Sequence, residues 1–305
     1  MDYWRKSPKV FWSFGIPPTI WLFAFFLAPL FLVWGLSFGE KQGIIELAIT
    51  GTLENYSRAV QPLYLQIFLK SFWYAGLTTF FCLVISFPVA LAITFASERW
   101  KPFLLLLVIL PFWTNLLIRT YALIAVLRTN GYLNDLLELL WLSADSGLMI
   151  LGLEDWNLFG ERFNRLELLY NNFAVVYGLV YVHLPFMVLP LYAALARMDR
   201  SYIEVSLDLG AGQWRTFRSV IVPLALPGII SGIIITFIPA LGSYLTPDLL
   251  GGTDSQMIAN VIERQFKSAN DWPFGAALSF LLMYLTFFAL AVRALLTRHN
   301  EKGLT

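Results

Sequence analysis

The stretch EVSLDLGAGQWRTFRSVIVPLALPG, residues 204–228, lies between two apolar blocks but is itself charged and interrupted by glycine and proline. Charged and apolar residues alternate as far as Leu209, and the GAG triplet at 210–212 then ends the helical pattern. The sequence QWRTFRSV restarts it. We therefore predict two short helices joined by a glycine turn, forming a stiff projection outside the apolar blocks. From the residues alone, an ordinary connecting loop is the alternative.

The composition identifies an integral membrane protein. Of the 305 residues, 58% are hydrophobic and 13% are charged, whereas roughly a quarter of an average soluble domain is charged. The apolar runs have about the twenty-residue length that crosses a bilayer. We predict an all-α fold with a single transmembrane domain over residues 1–305. Its six transmembrane helices are predicted at 14–38, 66–96, 103–127, 172–196, 222–247 and 274–296.

The charge distribution orients these helices. The first apolar block is too long for a cleaved signal peptide and is predicted to be retained as a span. If the N-terminus lies inside, twelve Lys and Arg residues fall in the inner segments and seven in the longer outer ones. The positive-inside rule therefore places both termini in the cytoplasm. The outer segments are rich in acidic residues, which either attract cations to a pathway or simply keep the loops soluble.

The longest outer segment, residues 128–171, contains an amphipathic pattern. Leu133, Leu136, Leu137 and Leu140 recur at the spacing of one helical face. We predict a short helix here that lies on the membrane surface or caps the transmembrane helices.

Three side chains within the predicted spans have structural explanations. Arg119 is expected near the outer interface, where its long side chain can extend to water. His183 is expected near the middle of the membrane, hydrogen-bonded to a neighbouring helix, with a substrate or proton role as the alternative. Cys82 is the single cysteine and is expected to be a packing residue.

The fifth predicted span is interrupted by prolines and glycines. Each proline removes a backbone donor, so this helix must be buried in protein or line water. We predict a break at Pro239, followed by polar residues that line a pathway; a kinked helix ending in an ordinary loop is the alternative. Gly228 and Gly232 form a G-x-x-x-G pair that lets another helix approach closely.

Nothing in the sequence indicates covalent chemistry. The two histidines, His183 and His299, are far apart, and no glycine is followed by lysine, which excludes a P-loop. We predict no catalytic residue, no metal site and no enzyme activity in this chain, so any energy from ATP would come through another protein. The basic residues are too scattered to form a nucleic-acid surface.

The opening stretch resembles the EAA motif of ABC importer permeases, E-A-A-x3-G-x9-I-x-L-P. Glu204, Gly210 and Pro223 keep the spacing, while Val205 and Ser206 replace the two alanines and valines replace the late aliphatic residues. The resemblance implies the type I ABC importer permease fold and makes residues 197–222 a cytoplasmic loop whose coupling helix docks on an ATPase. The departures at the alanines put tight helix packing in question. The implied coupling residues are Glu204, Asp208, Leu209, Gly210, Ala211, Gly212, Trp214 and Pro223.

Further stretches resemble the spermidine/putrescine permeases of the first-subunit type. They are LPFWTNLLIRTYA (110–122), YVHLPFMVLPLYAAL (181–195), FIPALGSYLTPDLLGG (237–252) and DWPFGAAL (271–278). The resemblance implies a bacterial inner-membrane protein that pairs with a homologous second permease, two ABC ATPases and an extracytoplasmic polyamine-binding protein. ATP and magnesium would bind the ATPases, with no cofactor on this chain.

A polyamine carries several charges along an aliphatic chain, so its path needs separated carboxylates with aromatic walls between them. The candidate path residues in this chain are Trp113, Asn115, Tyr121, Ser243, Tyr244 and Asp248. An importer of the same superfamily for ferric iron, thiamine or a phosphonate is the first alternative. An ATP-independent channel or secondary transporter and a structural scaffold are the others.

Overall fold

A computed structural model describes residues 8–43, 47–150 and 163–302. The described chain is predominantly helical. Its α-helices are α1 (Pro8–Leu22), α2 (Ala28–Leu36), α3 (Glu54–Ala59), α4 (Pro62–Phe95), α5 (Lys101–Ile109), α6 (Leu116–Leu127), α7 (Tyr132–Ile150), α8 (Asn172–Leu195), α9 (Ser201–Asp208), α10 (Gln213–Thr216), α11 (Val222–Leu241), α12 (Leu245–Leu250), α13 (Ile258–Lys267) and α14 (Trp272–Lys302).

Shorter elements connect these helices. Two π-helical turns join α1 to α2 and α10 to α11, and 3-10 turns follow α5 and α12. The predicted all-α fold class is confirmed. One short antiparallel ribbon accompanies the helices, in which β1 (Gly39–Lys41) and β2 (Leu47–Ile49) pair with Glu40 opposite Ala48. The remaining short elements are the π-turns Phe23–Leu27 and Phe217–Ile221 and the 3-10 turns Leu110–Trp113 and Thr253–Ser255.

Among the described residues, four helical segments are long and apolar enough to cross a membrane. They correspond to the first, second, fourth and fifth predicted spans. The count becomes five when a bent pair of helices is taken as one span, so the predicted count of six is not reached by this criterion. The four segments are Trp12–Leu36, Pro62–Phe95, Asn172–Leu195 and Gln213–Leu241.

The third predicted span, 103–127, is wrong as a single helix. Its two parts, Lys101–Trp113 and Leu116–Ser143, meet at an angle of 97°. Thr114 and Asn115 adopt extended backbone at the bend, and Asn115 Oδ1 accepts a 2.8 Å hydrogen bond from the Leu117 backbone N–H. The Asn115 side chain therefore caps the N-terminus of α6. It accepts from a backbone N–H that has no carbonyl partner at the bend.

The limits of the last two predicted spans also differ. The helix does not break at Pro239 but continues to Leu241, with Gly242 as its C-cap, because neighbouring groups in a membrane protein can accommodate a proline within a helix. The sixth predicted span, 274–296, lies within α14 (Trp272–Lys302).

The chain forms two compact units, one made of residues before 67 and after 260 and the other of residues 67–260. In the first unit, Arg58 of α3 pairs with Asp271 at 2.8 Å, and its guanidinium lies 3.9 Å from the ring centre of buried Phe274. Asp271 Oδ1 also accepts from the Phe274 backbone N–H at the start of α14. The single domain over 1–305 stays a prediction.

Replacing Asp271 by asparagine is expected to destabilise the first unit by about 1 kcal/mol. The Arg58 guanidinium would lose a charge-assisted hydrogen bond, and the half-exposed side chain of Arg58 keeps this loss near the lower end for such bonds. The melting temperature of the purified protein measures the effect. Glu98→Gln is the matched control, because Glu98 pairs with Lys101 while remaining largely exposed. Equal melting temperatures for the two variants would contradict the prediction.

In the second unit, α8 and α11 pack closely because the predicted glycine pair has no side chains. A Cβ on Gly228 would lie 2.6 Å from Ala194 Cβ, and one on Gly232 would lie 2.5 Å from Met187 Sδ. The predicted packing role of this pair is confirmed. Cys82 is fully buried, and its Sγ donates to the Val180 carbonyl at 3.6 Å, so its packing role is confirmed as well.

The outer segment contains the predicted helix, α7. Leu136 and Leu140 are each 53% exposed, whereas Asn134 is fully buried. The Asn134 amide exchanges hydrogen bonds with the Leu166 backbone, donating at 3.0 Å and accepting at 2.9 Å. A paired amide therefore fixes which side of α7 is buried. Residues 151–162 of this segment lie outside the described residues.

Candidate coupling loop and transport path

The candidate coupling loop is two short helices joined by a glycine turn, as the sequence predicted. Helix α9 ends at Asp208, and Gly210 then adopts φ +80°, a left-handed conformation that side chains with a Cβ rarely take. The Ala211 backbone N–H donates to the Ser206 carbonyl at 3.1 Å and closes the turn. Gly212 has an ordinary φ of −67° and precedes α10.

A hydroxyl pair that sequence reasoning missed joins the two helices. Ser206 Oγ lies 2.9 Å from Thr216 Oγ1, and Thr216 is buried. Ser206 stands where the EAA pattern has alanine, so the departure from the pattern is accompanied by a hydrogen bond between the helices. The spacing of ten residues across a turn gives no clear signal for such a pair.

The loop is anchored on the transmembrane helices by aromatic rings. Trp214 stacks on Phe217 at 5.4 Å between ring centres, and Phe217 meets Phe87 of α4 edge-on, also at 5.4 Å. The chain continues without a break from α10 through the π-turn into α11. The loop and α11 are therefore joined by a continuous helical segment that is packed against α4.

The tip of the loop is apolar and exposed. Leu209 is 83% exposed and Trp214 is 74% exposed, so both are available to another protein. The remaining predicted coupling residues also lie on the loop or at the start of α11: Glu204, Asp208 and Pro223 are exposed, Ala211 is half-buried, and Gly210 and Gly212 form the turn.

The predicted path residues fall in two groups on neighbouring helices of the second unit. Helix α12 packs against α6 and α8, and Leu250 is buried in a cluster with Leu123 and Leu127. The path residues Tyr121 and Asp248 are exposed on α6 and α12. The structure thus brings the two groups onto helices that touch.

The individual path residues have different surroundings. Trp113 is 75% exposed at the bend before α6, and the side chain of Asn115 is used to cap that helix. Ser243 is half-buried between α11 and α12, and the Tyr244 carbonyl accepts a 2.7 Å hydrogen bond from the Asn260 amide.

The segment after α12 is held in place by hydrogen bonds that the sequence did not indicate. Lys70 donates to the Asp254 carbonyl, and Ser71 Oγ accepts from the Ile258 backbone N–H at 2.7 Å. Ser255 Oγ donates to Asn172 Oδ1 at 2.6 Å. These bonds attach the segment that follows α12 to α4 and α8, and so hold the C-terminal end of α12, the helix that carries Asp248.

Two polar residues of the spans differ from expectation. His183 is buried as predicted, but its Nδ1 lies 2.8 Å from the Leu179 carbonyl of its own helix, so the predicted bond to a neighbouring helix is wrong. The Arg119 guanidinium lies 5.9 Å from the Phe112 ring centre. Its Nε and Nη1 are buried without a hydrogen-bond partner in the described chain, so this part of the side chain does not reach water.

Residues 13–302 match the family of binding-protein-dependent transport system inner membrane components. The chain belongs to this family. It is therefore an inner-membrane permease subunit of the ABC importer class, which confirms the prediction made from the EAA motif.

Several proteins similar to this chain are spermidine/putrescine transport system permease proteins PotB. The protein from Escherichia coli K12 is 39% identical over 262 residues, covering 86% of this chain and 88% of the relative. The protein from Haemophilus influenzae is 37% identical over 285 residues, covering 92% of this chain and 93% of the relative. The protein from Salmonella typhimurium SL1344 is 39% identical over 262 residues, covering 86% of this chain and 85% of the relative.

Solved structures of other permeases share the fold. A bacterial ABC transporter involved in the import of the acidic polysaccharide alginate has a TM-score of 0.67 at 15% identity, covering 96% of this chain and 98% of the matched chain. A bacterial alginate ABC transporter in complex with an alginate pentasaccharide-bound periplasmic protein has a TM-score of 0.63 at 14% identity. The match covers 95% of this chain and 96% of the matched chain. The predicted type I ABC importer permease fold is confirmed.

Proposed function

We propose that this permease subunit carries polyamines, spermidine or putrescine, into the cell by alternating access. The supporting observation is its identity of 37–39% to spermidine/putrescine permeases over most of both chains. In this proposal the chain itself hydrolyses no ATP and binds no cofactor, while partner ATPases bind ATP and magnesium. Both termini face the cytoplasm, as the distribution of basic residues favours.

The coupling loop is the proposed docking site for the partner ATPases. The exposed Leu209 and Trp214 supply an apolar tip, and the carboxylates of Glu204 and Asp208 flank it. When the ATPases close, they would move α9 and α10, and the continuous helix would carry this movement into α11. The full importer would contain this chain, a homologous second permease, two ATPases and an extracytoplasmic polyamine-binding protein.

The outer end of α12 is the proposed contact for the substrate. An ammonium group is attracted both to a carboxylate and to the face of an aromatic ring, which Asp248 and Tyr244 supply on one short helix. The predicted spans contain no Asp or Glu residue, so a second carboxylate for the other end of a polyamine would come from the partner permease. Trp113, Asn115, Tyr121 and Ser243 complete the proposed path.

Uptake of labelled spermidine tests the proposed function. The chain should be expressed with its three kinds of partner in bacteria that lack their own polyamine uptake. We expect that uptake stops when ATP is depleted. Unlabelled putrescine should compete with the labelled spermidine, whereas thiamine and ferric iron should leave its uptake unchanged. Competition by thiamine or iron but not by putrescine would indicate another solute, and uptake without ATP would contradict the importer mechanism.

Asp248→Asn and Tyr244→Ala are each expected to reduce polyamine uptake at low substrate concentration by about two- to fivefold. This is the range for an exposed charge pair or a cation–π contact of up to about 1 kcal/mol. Initial uptake rates over a range of spermidine concentrations measure the effect. Asp254→Asn is the control, because Asp254 is an exposed carboxylate outside the proposed path. If both variants matched this control, the substrate path would lie elsewhere.

A further inference from the structure

A groove of about 640 Å³ lies at the inner ends of α8 and α11, beside the segment that leads into α9. Ala193 and Ala194 line one side with short side chains, and Gly228 of α11 also lines the groove where this helix approaches Ala194. The groove belongs entirely to the second unit. It is distinct from the loop tip and from the outer path residues.

The walls of the groove are apolar and its mouth is polar. Pro190, Leu224 and Pro227 provide hydrocarbon surface, whereas Arg197 and Tyr202 lie at the end nearest the coupling loop. Pro190 precedes the end of α8 by five residues, which places it about 8 Å deeper than the helix end. Apolar surface is thus found at the depth of acyl chains, and the cation at the depth of lipid headgroups.

The charge at the mouth is available to a ligand. The Arg197 guanidinium is exposed and has no hydrogen-bond or ion-pair partner within the described parts of the chain. Asp199 also lines the groove, but its Oδ1 accepts from the Ser201 backbone N–H at 3.0 Å, which holds the pKa of this carboxyl below its usual range. Ser231 donates to the Pro227 carbonyl. Arg197 and the Tyr202 hydroxyl are therefore the hydrogen-bond donors at the mouth, beside the ionised carboxylate of Asp199.

We propose that this groove binds one anionic phospholipid of the inner leaflet, with its phosphate on Arg197 and its acyl chain along Pro190 and Leu224. The order of the groups, a cation at the membrane surface followed by hydrocarbon, matches the order of phosphate and acyl chain in a lipid. The inference rests on the proposed function only in that it needs the coupling loop to face the cytoplasm. A lipid in this position touches α8, α11 and the start of α9, and so steadies the base of the coupling loop.

Lipid retention by the complete purified importer tests this proposal. The complex is exchanged into phosphatidylcholine, titrated with phosphatidylglycerol, and the bound anionic lipid is counted by native mass spectrometry. Arg197→Gln should weaken retention of one phosphatidylglycerol by about tenfold, as expected for loss of a charge-assisted hydrogen bond. Arg99→Gln is the matched control, because Arg99 is an exposed arginine on the same side of the membrane outside the groove. Retention is measured without transport, so it does not depend on which solute is carried.

A second variant fills the groove without changing its charge. Ala193→Leu places a larger side chain in the lining and should reduce lipid retention as strongly as Arg197→Gln. Equal loss in Arg99→Gln would indicate general attraction to the surface and would overturn the proposal. Displacement of the lipid by millimolar inorganic phosphate would also overturn the proposal, because it would identify the ligand as a soluble anion. Release of the second permease from the Ala193→Leu complex would overturn it as well, because it would identify the groove as a protein interface.

Discussion

Replacing Gly228 by alanine is expected to lower the yield and the stability of the folded permease more than any other single methyl group added to these helices. The added Cβ would lie 2.6 Å from Ala194 Cβ and 2.8 Å from the Pro190 carbonyl oxygen, and both belong to the backbone region of α8. Because neither atom can rotate away, the two helices must separate. Overpacking of this kind costs about 1–3 kcal/mol.

Two other glycines provide controls for this prediction. Gly76 in α4 has nothing within 4 Å of the position of an added Cβ, so Gly76→Ala should be neutral or stabilising by up to about 1 kcal/mol. Gly232→Ala should have an intermediate effect, because its nearest atom is the flexible Met187 Sδ. The melting temperature and monodisperse yield of the purified complex measure all three. The same result for Gly228→Ala and Gly76→Ala would rule out close packing of α8 and α11 at this point.

Replacing Gly210 by valine is expected to reduce ATP-driven uptake by about tenfold or more. At φ +80°, a residue with a Cβ is disfavoured by roughly 1–2 kcal/mol, and a β-branched residue by more. The turn between α9 and α10 would adopt another conformation and displace the apolar tip. ATP hydrolysis by the partner subunits should then continue without matching transport, which parallel measurements of uptake and hydrolysis in the same vesicles can detect.

The neighbouring glycine is the matched control for this turn. Gly212 has φ −67° and ψ 160°, which valine adopts readily, and an added Cβ at either glycine meets nothing within 4 Å. Gly212→Val should therefore retain most of the uptake. Equal loss at the two positions would mean that the bulk of the side chain matters rather than backbone conformation, and would remove the reason for a left-handed residue at the turn.

The coupling loop could be predicted from the sequence because its signals are local. The GAG triplet, the restart of the helix at Gln213 and the spacing from Glu204 to Pro223 each depend on a few consecutive residues. The structure adds the bond between Ser206 and Thr216 and the contact of Phe217 with Phe87. These contacts depend on how the helices pack against each other, and the spacing of hydrophobic residues in the sequence does not indicate this packing.

The errors occurred where neighbouring elements decide the conformation. A bend of 97° interrupts the third predicted span, although its sequence is apolar on both sides of Thr114. Pro239 was expected to end a helix, yet α11 continues past it. On α7 the leucine pattern predicted the helix, but it did not indicate that the Asn134 amide is buried and paired with the Leu166 backbone.

By itself, the sequence determined that this chain is a multi-pass helical membrane protein with two short helices joined by a glycine turn and a close glycine pair. These properties follow from hydrophobic length, backbone chemistry and residue spacing, which act within a single segment. Only the tertiary structure decided where α5 and α6 bend apart, which helices carry the two groups of path residues, and that small side chains leave a groove beside Arg197. These features depend on contacts between segments far apart in the chain, and such contacts leave no regular period in the sequence.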